Sequence, residues 1–344
     1  MRKIIITSLL FCLFLGLYAQ AQKGSVIIDS LYSENLENDF GESPKRAVSV
    51  YLPPGYEDSG KRYPVIYFLH GFLGNHVIFE PFKDALDFAI QTKRIRPFIL
   101  VVSDQRTAYD GSFYSNTGVY GNWEDFTAFD LVEYTDENYR TIADKDSRGI
   151  TGHSMGGYGA LKLAMHHPDI FSSVYALSPG ALAIVREYGP NSDTYRELSE
   201  ISTLEELNER YFAKAMVAFA RSWSPNPDNP PFYCDMPFTY ENDELIIHKD
   251  VLEKWHANMP VHMIEDNLDN LLKLTAIKLD WGRNAGERFT QQCIMFSQRL
   301  ENAGIEHFAE EYIGTHVSGI YQRDGRIPQS MLPFFDYYLE FEED

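Results

Sequence analysis

The sequence feature that most constrains this chain is the pentapeptide Gly-His-Ser-Met-Gly at residues 152–156. The residues before it are apolar, as in a buried strand, and the small residues after it suit the start of a helix. Glycines on both sides of Ser154 leave room for a tight and strained turn, because larger side chains there would crowd the backbone. The pattern predicts a strand–turn–helix nucleophile elbow that holds the Ser154 hydroxyl clear of a sheet.

Apolar runs and helical segments alternate along most of the chain. Strands are predicted at residues 48–52, 64–69, 97–102, 174–178, 275–279 and 305–312. Helices are predicted at residues 82–92, 123–139, 289–303 and 328–341. This alternation predicts an α/β fold with a mostly parallel central sheet and helices on both of its faces. Because no linker divides the pattern, residues 22–344 are expected to form a single domain.

Residues 181–274 differ in character from the chain on either side. A capping box at residues 202–205 opens a segment with apolar residues three or four apart, which is typical of a helix. Prolines at positions between 225 and 237 then interrupt the pattern. We expect a mostly helical insertion that lies over one end of the sheet.

The N-terminal segment, residues 1–21, has the organisation of a secretory signal peptide. Arg2 and Lys3 precede an apolar run at residues 4–17, and Ala-Gln-Ala at residues 19–21 fits a cleavage site. A membrane anchor is the alternative, but the run is short for a membrane span and no charged stop follows it. A secreted or periplasmic protein is therefore expected, without membrane association after cleavage.

The composition disfavours several classes of partner. A formal net charge of −20 argues against nucleic acid and against anionic membrane surfaces. No spacing of Cys or His matches a metal site, so neither a metal nor another cofactor is expected. Cys234 and Cys293 remain after signal cleavage, and both a disulfide and two buried free thiols are open. The sequence does not predict the oligomeric state.

A serine hydroxyl needs a base to take its proton, and an imidazole does this best near neutral pH. His316 is the candidate, because it follows the last predicted strand at the edge of the sheet where the elbow must open. Two amides are expected to stabilise an oxyanion, those of Met155, directly after the nucleophile, and Phe72, in the loop after residues 64–69. His70 is expected to hold that loop by hydrogen bonding.

Several short motifs together resemble one enzyme family. They are found at residues 51–56, 63–71, 139–141, 152–160, 167–171 and 314–316. The set is similar to the esterase D / feruloyl-esterase-like branch of the α/β-hydrolases, which also contains S-formylglutathione hydrolases, enterochelin esterases and mycolyltransferases. The resemblance covers roughly residues 48–339 and is weakest in the inserted region. It implies an α/β-hydrolase fold and an acyl-enzyme formed on Ser154.

The resemblance fails at the acid that orients the histidine. Where the esterase D pattern places a catalytic Asp, this chain has Ala285. Glu287 resembles the mycolyltransferase arrangement, in which a Glu slightly later in the loop acts, and it is the favoured candidate. Asp280, at the end of the preceding strand, is the alternative, and a site with no acid remains open. Such a site would lose about 10⁴-fold in turnover.

The sequence thus predicts a serine esterase acting on acetyl or feruloyl esters of carbohydrate, as the resemblance implies. An acyltransferase to a sugar hydroxyl and a catalytically weak carbohydrate-binding homologue are the alternatives. The long loop at residues 109–123 is expected to line the substrate pocket, because such loops are usually functional. Tyr114, Asn116 and Trp123 are its candidate substrate-binding residues.

Overall fold

A computed structural model describes residues 22–77, 83–320, 322 and 324–342. The predicted signal peptide lies outside these residues. Within the described ranges, no helix has the length and apolar character needed to cross a membrane. The strands are β1 (Ser25–Tyr32), β2 (Lys45–Leu52), β3 (Val65–Leu69), β4 (Ile99–Ser103), β5 (Arg148–His153), β6 (Ser173–Leu177), β7 (Phe238–Glu241), β8 (Glu244–Ile247), β9 (Ala276–Gly282) and β10 (Phe308–Tyr312).

Eight of these strands form one sheet in the order β1-β2-β4-β3-β5-β6-β9-β10. Strand β2 pairs antiparallel with both β1 and β4, and every other pair in this sheet is parallel. The predicted α/β-hydrolase fold with a mostly parallel sheet is confirmed. Within this sheet, β1 is the strand that the sequence patterns did not predict.

The helices lie between these strands as the alternation predicted. They are α1 (Lys83–Gln91), α2 (Trp123–Asp125), α3 (Leu131–Asn138), α4 (Met155–His166), α5 (Thr194–Leu198), α6 (Leu204–Asn208), α7 (Tyr211–Trp223), α8 (Lys249–Ala257), α9 (Pro260–Met263), α10 (Leu268–Leu271), α11 (Glu287–Asn302) and α12 (Leu332–Tyr338). A π-helical turn over Phe126–Asp130 joins α2 to α3 and leaves Phe129 exposed.

Strand β3 divides the hydrophobic core into two parts. Val65, Tyr67 and Leu69 belong to a large cluster shared with α4, α7 and α11. Ile66 and Phe68 belong to a second cluster shared with α1 and α12. Because successive side chains of a strand point to opposite faces, a continuous apolar run is what a strand covered on both sides requires.

The segment between β6 and β9 contains six short or medium helices and the hairpin β7–β8. The sequence predicted the helices and missed the hairpin. The capping box is present one residue later than expected, with Thr203 and Glu206 satisfying each other's backbone amides. Cys234 and Cys293 are both buried free thiols, so the disulfide alternative is excluded.

Candidate active site

The turn between β5 and α4 has the geometry that the glycine pattern predicted. Ser154 has φ 61° and ψ −115°, a strained conformation for a residue with a side chain. A Cβ atom on Gly156 would lie 1.9 Å from the carbonyl oxygen of Leu69, and one on Gly152 would lie 2.5 Å from the Gly156 backbone. Glycine is therefore required at both positions for α4 to approach the ends of β3 and β5.

His316 lies directly against this turn. Its Nε2 is 2.8 Å from the Oγ of Ser154, within hydrogen-bond distance. Burial lowers the pKa of His316 to about 2, with smaller contributions from neighbouring His153, Arg326 and Arg288. The imidazole is therefore neutral at ordinary pH, and Nε2 accepts the hydroxyl proton when the ring proton is on Nδ1.

Two aromatic rings hold the imidazole of His316 in place. Phe289 of α11 stacks on it with ring centroids 3.6 Å apart, and the ring of His153 lies 4.7 Å away. His153 also donates from Nε2 to the carbonyl oxygen of His316 over 2.9 Å. Burial lowers the pKa of His153 to about 4, so this ring stays neutral and serves as a hydrogen-bond donor. No sequence pattern had indicated either neighbour of His316.

The structure does not bring the predicted acid to His316. The Nδ1 atom of His316 is buried and has no hydrogen-bond partner among the described residues. Glu287 is the first residue of α11 and is exposed to solvent, so the predicted contact between Glu287 and His316 is wrong. The helix instead turns its next two residues, Arg288 and Phe289, toward the site.

Asp280, the alternative acid, has its carboxylate hydrogen-bonded to other groups. Its buried carboxylate accepts hydrogen bonds from the Ser178 amide and the Tyr175 hydroxyl, both at 2.9 Å, and from the guanidinium of Arg326. These contacts join the end of β9 to the end of β6 and to the loop before α12. Asp280 therefore organises this end of the sheet and is not the hydrogen-bond partner of His316 Nδ1.

The two predicted oxyanion donors lie beside Ser154. Phe72 and Met155 both line the cavity that contains the serine. Neither amide nitrogen donates to an acceptor among the described residues, so both donors are available to a ligand. An oxyanion hole requires free amides of this kind, so Phe72 and Met155 remain the candidate donors.

His70 holds the loop that carries Phe72. Its Nε2 accepts from the amide of Gln105 and its Nδ1 donates to the carbonyl oxygen of Gly71, each over 2.9 Å. Burial lowers the pKa of His70 to about 4, which keeps the ring neutral and suits one accepting nitrogen. The structural role expected for His70 therefore fits these contacts.

A cavity of about 290 Å³ opens from Ser154 and His316. Its walls come from the loop after β3, from the insertion helix α7 and from the start of α11. The aromatic side chains that line it include Phe72, Phe113, Tyr188, Tyr211, Phe212 and Phe289. Since most of these belong to or pack against the insertion, the least family-like part of the sequence forms much of the pocket.

The three predicted substrate-binding residues do not line this cavity. Tyr114 is fully buried and donates its hydroxyl to the carbonyl oxygen of His70 over 2.8 Å. Trp123 is buried and donates to the carbonyl oxygen of Tyr120, while Asn116 caps the amides at the start of α2. These residues brace the loop internally, and that prediction is corrected.

A metal ion in a protein is coordinated by several side chains that surround it. Among the residues that the structure describes, no group of three or more His, Cys, Asp or Glu side chains is arranged to hold a metal ion.

A family model described as "Putative esterase" matches residues 43–324. The chain belongs to this esterase family. The resemblance inferred from the short motifs is thereby confirmed.

Two relatives match the esterase over part of its length. Esterase Rv1288 of Mycobacterium tuberculosis is 38% identical over 146 residues, which cover 41% of this chain and 30% of the relative. The endo-1,4-beta-xylanase/feruloyl esterase of Xylanibacter ruminicola is 31% identical over 147 residues, covering 39% of this chain and 20% of the relative. The chain thus matches less than a third of the length of each.

One solved structure covers almost the whole esterase. A ferulic acid esterase superposes with a TM-score of 0.63 at 23% identity, covering 92% of this chain and 100% of that chain. At this level of identity the likeness establishes the α/β-hydrolase fold.

Proposed function

We propose that this esterase-family chain is a serine carboxylic ester hydrolase, with Ser154 as nucleophile and His316 as base. The observation that carries the proposal is the 2.8 Å contact between Ser154 Oγ and His316 Nε2. It joins a hydroxyl on a strained elbow to an imidazole that burial keeps neutral, and serine activation requires this pairing.

In the proposed reaction, His316 Nε2 takes the proton of Ser154 as Oγ attacks the acyl carbon. Negative charge develops on the carbonyl oxygen, where the amides of Phe72 and Met155 donate hydrogen bonds. The bond to the alcohol oxygen then breaks, and His316 returns the proton to that oxygen. Water repeats these steps on the acyl-enzyme, which releases the acid and restores the Ser154 hydroxyl.

The proposed machinery is a serine–histidine pair rather than a triad. Since His316 Nδ1 has no carboxylate partner among the described residues, no adjacent negative charge stabilises the imidazolium that forms during attack. Loss of the acid function from a complete triad lowers kcat by about 10⁴-fold, so we expect slow turnover. The stacked ring of Phe289 and the tilted ring of His153 supply the orientation that the acid would otherwise give.

The proposed substrates are acetyl or feruloyl esters of carbohydrate. An apolar, aromatic-lined cavity of about 290 Å³ suits a flat aromatic acyl group, because aromatic rings pack favourably in offset and edge-to-face geometries. One relative is an endo-1,4-beta-xylanase/feruloyl esterase, which supports the same class. Export directed by residues 1–21 would bring the enzyme to such substrates outside the cytoplasm.

The test compares wild type with Ser154→Ala on p-nitrophenyl acetate and methyl ferulate. We expect the variant to lose at least about 10³-fold in kcat/KM, because the nucleophile is absent. Ser199→Ala, an exposed serine outside the cavity, is the matched control and should behave as wild type. Equal activity in wild type and Ser154→Ala would refute the proposal.

The unpaired Nδ1 of His316 favours a second candidate, a carbohydrate-binding homologue with very little turnover. Covalent labelling by a fluorophosphonate separates the two, because the reagent needs an activated serine. Labelling of wild type but not of Ser154→Ala supports the hydrolase. Glycan binding without labelling supports the binding protein.

A further inference from the structure

Arg288 is placed in the cavity in a way that the proposed reaction does not use. It is the second residue of α11 and lines the cavity together with Ser154 and His316. Its guanidinium carbon lies 4.4 Å from the ring centre of Phe212 and 5.1 Å from that of Phe289. The two rings hold the cation between the insertion helix α7 and the start of α11.

The guanidinium of Arg288 has no acidic partner among the described residues. No carboxylate lies within the 4.0 Å ion-pair distance, and its side chain makes no hydrogen bond there. By contrast, the neighbouring Arg283 is paired with Glu311 outside the cavity. The five N–H donors of Arg288 are therefore available to a ligand.

The position of Arg288 on its helix is also unfavourable in electrostatic terms. A cation in the first turn opposes the helix dipole, whose positive end lies there. The guanidinium itself makes this corner of the cavity attractive to an anion. Among the described residues lining the cavity, Arg288 and His316 are the side chains that can carry positive charge.

We propose that Arg288 binds a carboxylate on the alcohol half of the substrate, so that the preferred substrates are esters of a hydroxy acid or an acidic sugar. This inference rests on the proposed function, since it assigns the substrate of the same site. A planar guanidinium can hold a carboxylate through two parallel hydrogen bonds, which fixes both its position and its orientation.

The reaction geometry decides which half of the ester carries the charge. His316 must return its proton to the leaving alcohol oxygen, so the alcohol half lies on the His316 side of Ser154. Phe289 covers the ring of His316, and Arg288 is its neighbour in sequence and packs against it. A group bound by Arg288 therefore belongs to the alcohol.

Binding of this carboxylate would also assist the base. The positive charge of Arg288 is one of the causes that lower the pKa of His316, after burial and the larger contributions of His153 and Arg326. A carboxylate on Arg288 offsets that charge and places a negative group near the imidazolium that forms during attack. The substrate would thus supply part of what the missing acid supplies in a triad.

The test uses two pairs of esters that differ in charge. 3-Acetoxybenzoate and methyl 3-acetoxybenzoate place a carboxylate or its neutral ester on the alcohol half. p-Nitrophenyl hemisuccinate carries a carboxylate on the acyl half, and p-nitrophenyl butyrate carries an uncharged methyl group in its place. Wild type should favour 3-acetoxybenzoate over its methyl ester by about 10- to 100-fold in kcat/KM, the range for a charge-assisted contact.

Substitutions then assign this preference to one side chain. Arg288→Gln should reduce the ratio of the two kcat/KM values to near one, and Arg288→Lys should keep part of it. Arg283→Gln, which removes a nearby arginine outside the cavity, should leave the ratio unchanged. Labelling of Arg288→Gln by a neutral fluorophosphonate establishes that its site is folded.

The outcomes separate this inference from the proposed function. If Ser154→Ala hydrolyses these esters as well as wild type, the proposed function itself fails. If Ser154→Ala is inactive but wild type shows no charge preference, only the role of Arg288 fails. A preference confined to the hemisuccinate pair, or one that persists in Arg288→Gln, also overturns the assignment.

Discussion

The two ring nitrogens of His316 have different surroundings. Nε2 contacts Ser154 Oγ, whereas Nδ1 is buried without a hydrogen-bond partner among the described residues. Leaving a buried polar atom unpaired costs about 1–3 kcal/mol, so this arrangement carries a cost in stability as well as in basicity. The position of Ala285, which lines the cavity beside His316, offers a way to measure that cost.

We predict that Ala285→Asp raises the activity of the enzyme. A carboxylate introduced near Nδ1 would fix the tautomer that leaves Nε2 free to accept, and would stabilise the imidazolium. The expected gain in kcat on p-nitrophenyl acetate is about tenfold or more, measured at constant pH. Ala285→Asn, similar in size but uncharged, is the control and should gain much less. An unchanged or lower kcat in the Asp variant would contradict the prediction.

The pH dependence of the wild-type enzyme should also be unusual. Because burial and neighbouring positive groups lower the pKa of His316 to about 2, the base stays unprotonated in mild acid. We expect kcat/KM for a neutral ester to change by less than about threefold between pH 7 and pH 5, where an ordinary histidine would become mostly charged. A pH profile of hydrolysis measures this.

The Ala285→Asp variant provides the control for that profile. Its added negative charge favours the imidazolium and so raises the pKa of His316, which moves the acidic limb toward neutral pH. A wild-type limb near pH 6.5 would contradict the prediction.

At the scale of elements, the site depends on how closely α4 approaches the sheet. Gly156 is the residue that permits this contact, since a Cβ there would lie 1.9 Å from the carbonyl oxygen of Leu69. We predict that Gly156→Ala destabilises the protein by about 3 kcal/mol or more, because backbone must move to relieve the overlap. Urea denaturation measures the change. Gly60→Ala, where a Cβ would meet nothing within 4 Å, should change the stability little.

A second prediction concerns the contact between α2 and α4. The buried carboxylate of Glu124 lies 2.6 Å from His166 Nδ1, 3.1 Å from His167 Nε2 and 3.3 Å from Lys162 Nζ. Burial alone would raise the pKa of Glu124, but the hydrogen bonds from both histidines and the charge of Lys162 lower it well below its usual range. The charged carboxylate therefore stabilises the folded state.

The sign of the pH effect follows from that lowered pKa. The stabilisation is complete above the unfolded-state pKa, about 4.3 for Glu, and is lost as the pH falls below it toward the folded-state value. Glu124→Gln should lower the free energy of unfolding by about 3 kcal/mol at pH 7. This difference between the variant and wild type should become smaller as the solution is acidified. Urea denaturation at several pH values tests this, with the exposed Glu137→Gln as control. A constant difference between pH 7 and pH 3 would contradict it.

At the scale of the whole molecule, much of the fold could be predicted because its causes are local. Continuous apolar runs defined the inner strands, and the paired glycines defined the turn at Ser154. The hairpin β7–β8 could not be predicted in this way, because its short strands are largely exposed and carry no clear alternation. Their pairing depends on the insertion that surrounds them.

The site was predictable only where a residue's position follows from the topology. His316 could be placed because the carboxyl ends of parallel strands meet at one edge of the sheet. The predicted contact of Glu287 with His316 was wrong because the direction of a helix's first side chain depends on the turn before it. In that turn, Gly286 has φ 91°. The substrate-binding role predicted for Tyr114 was wrong because an aromatic loop residue can pack inside its loop as readily as it can contact a ligand.

The two buried thiols, Cys234 and Cys293, can report local unfolding of the parts of the protein that surround them. Cys234 lies in the insertion, while Cys293 lies on α11 against the carbonyl oxygen of Pro179, close to the Ser154 turn. Burial raises the pKa of both thiols, so an alkylating reagent reacts with either only after the surrounding structure separates. Peptide mapping after timed exposure to iodoacetamide would give two rates from one sample. Faster modification of Cys234 than of Cys293 would mean that the insertion opens locally while α11 and the Ser154 turn stay folded.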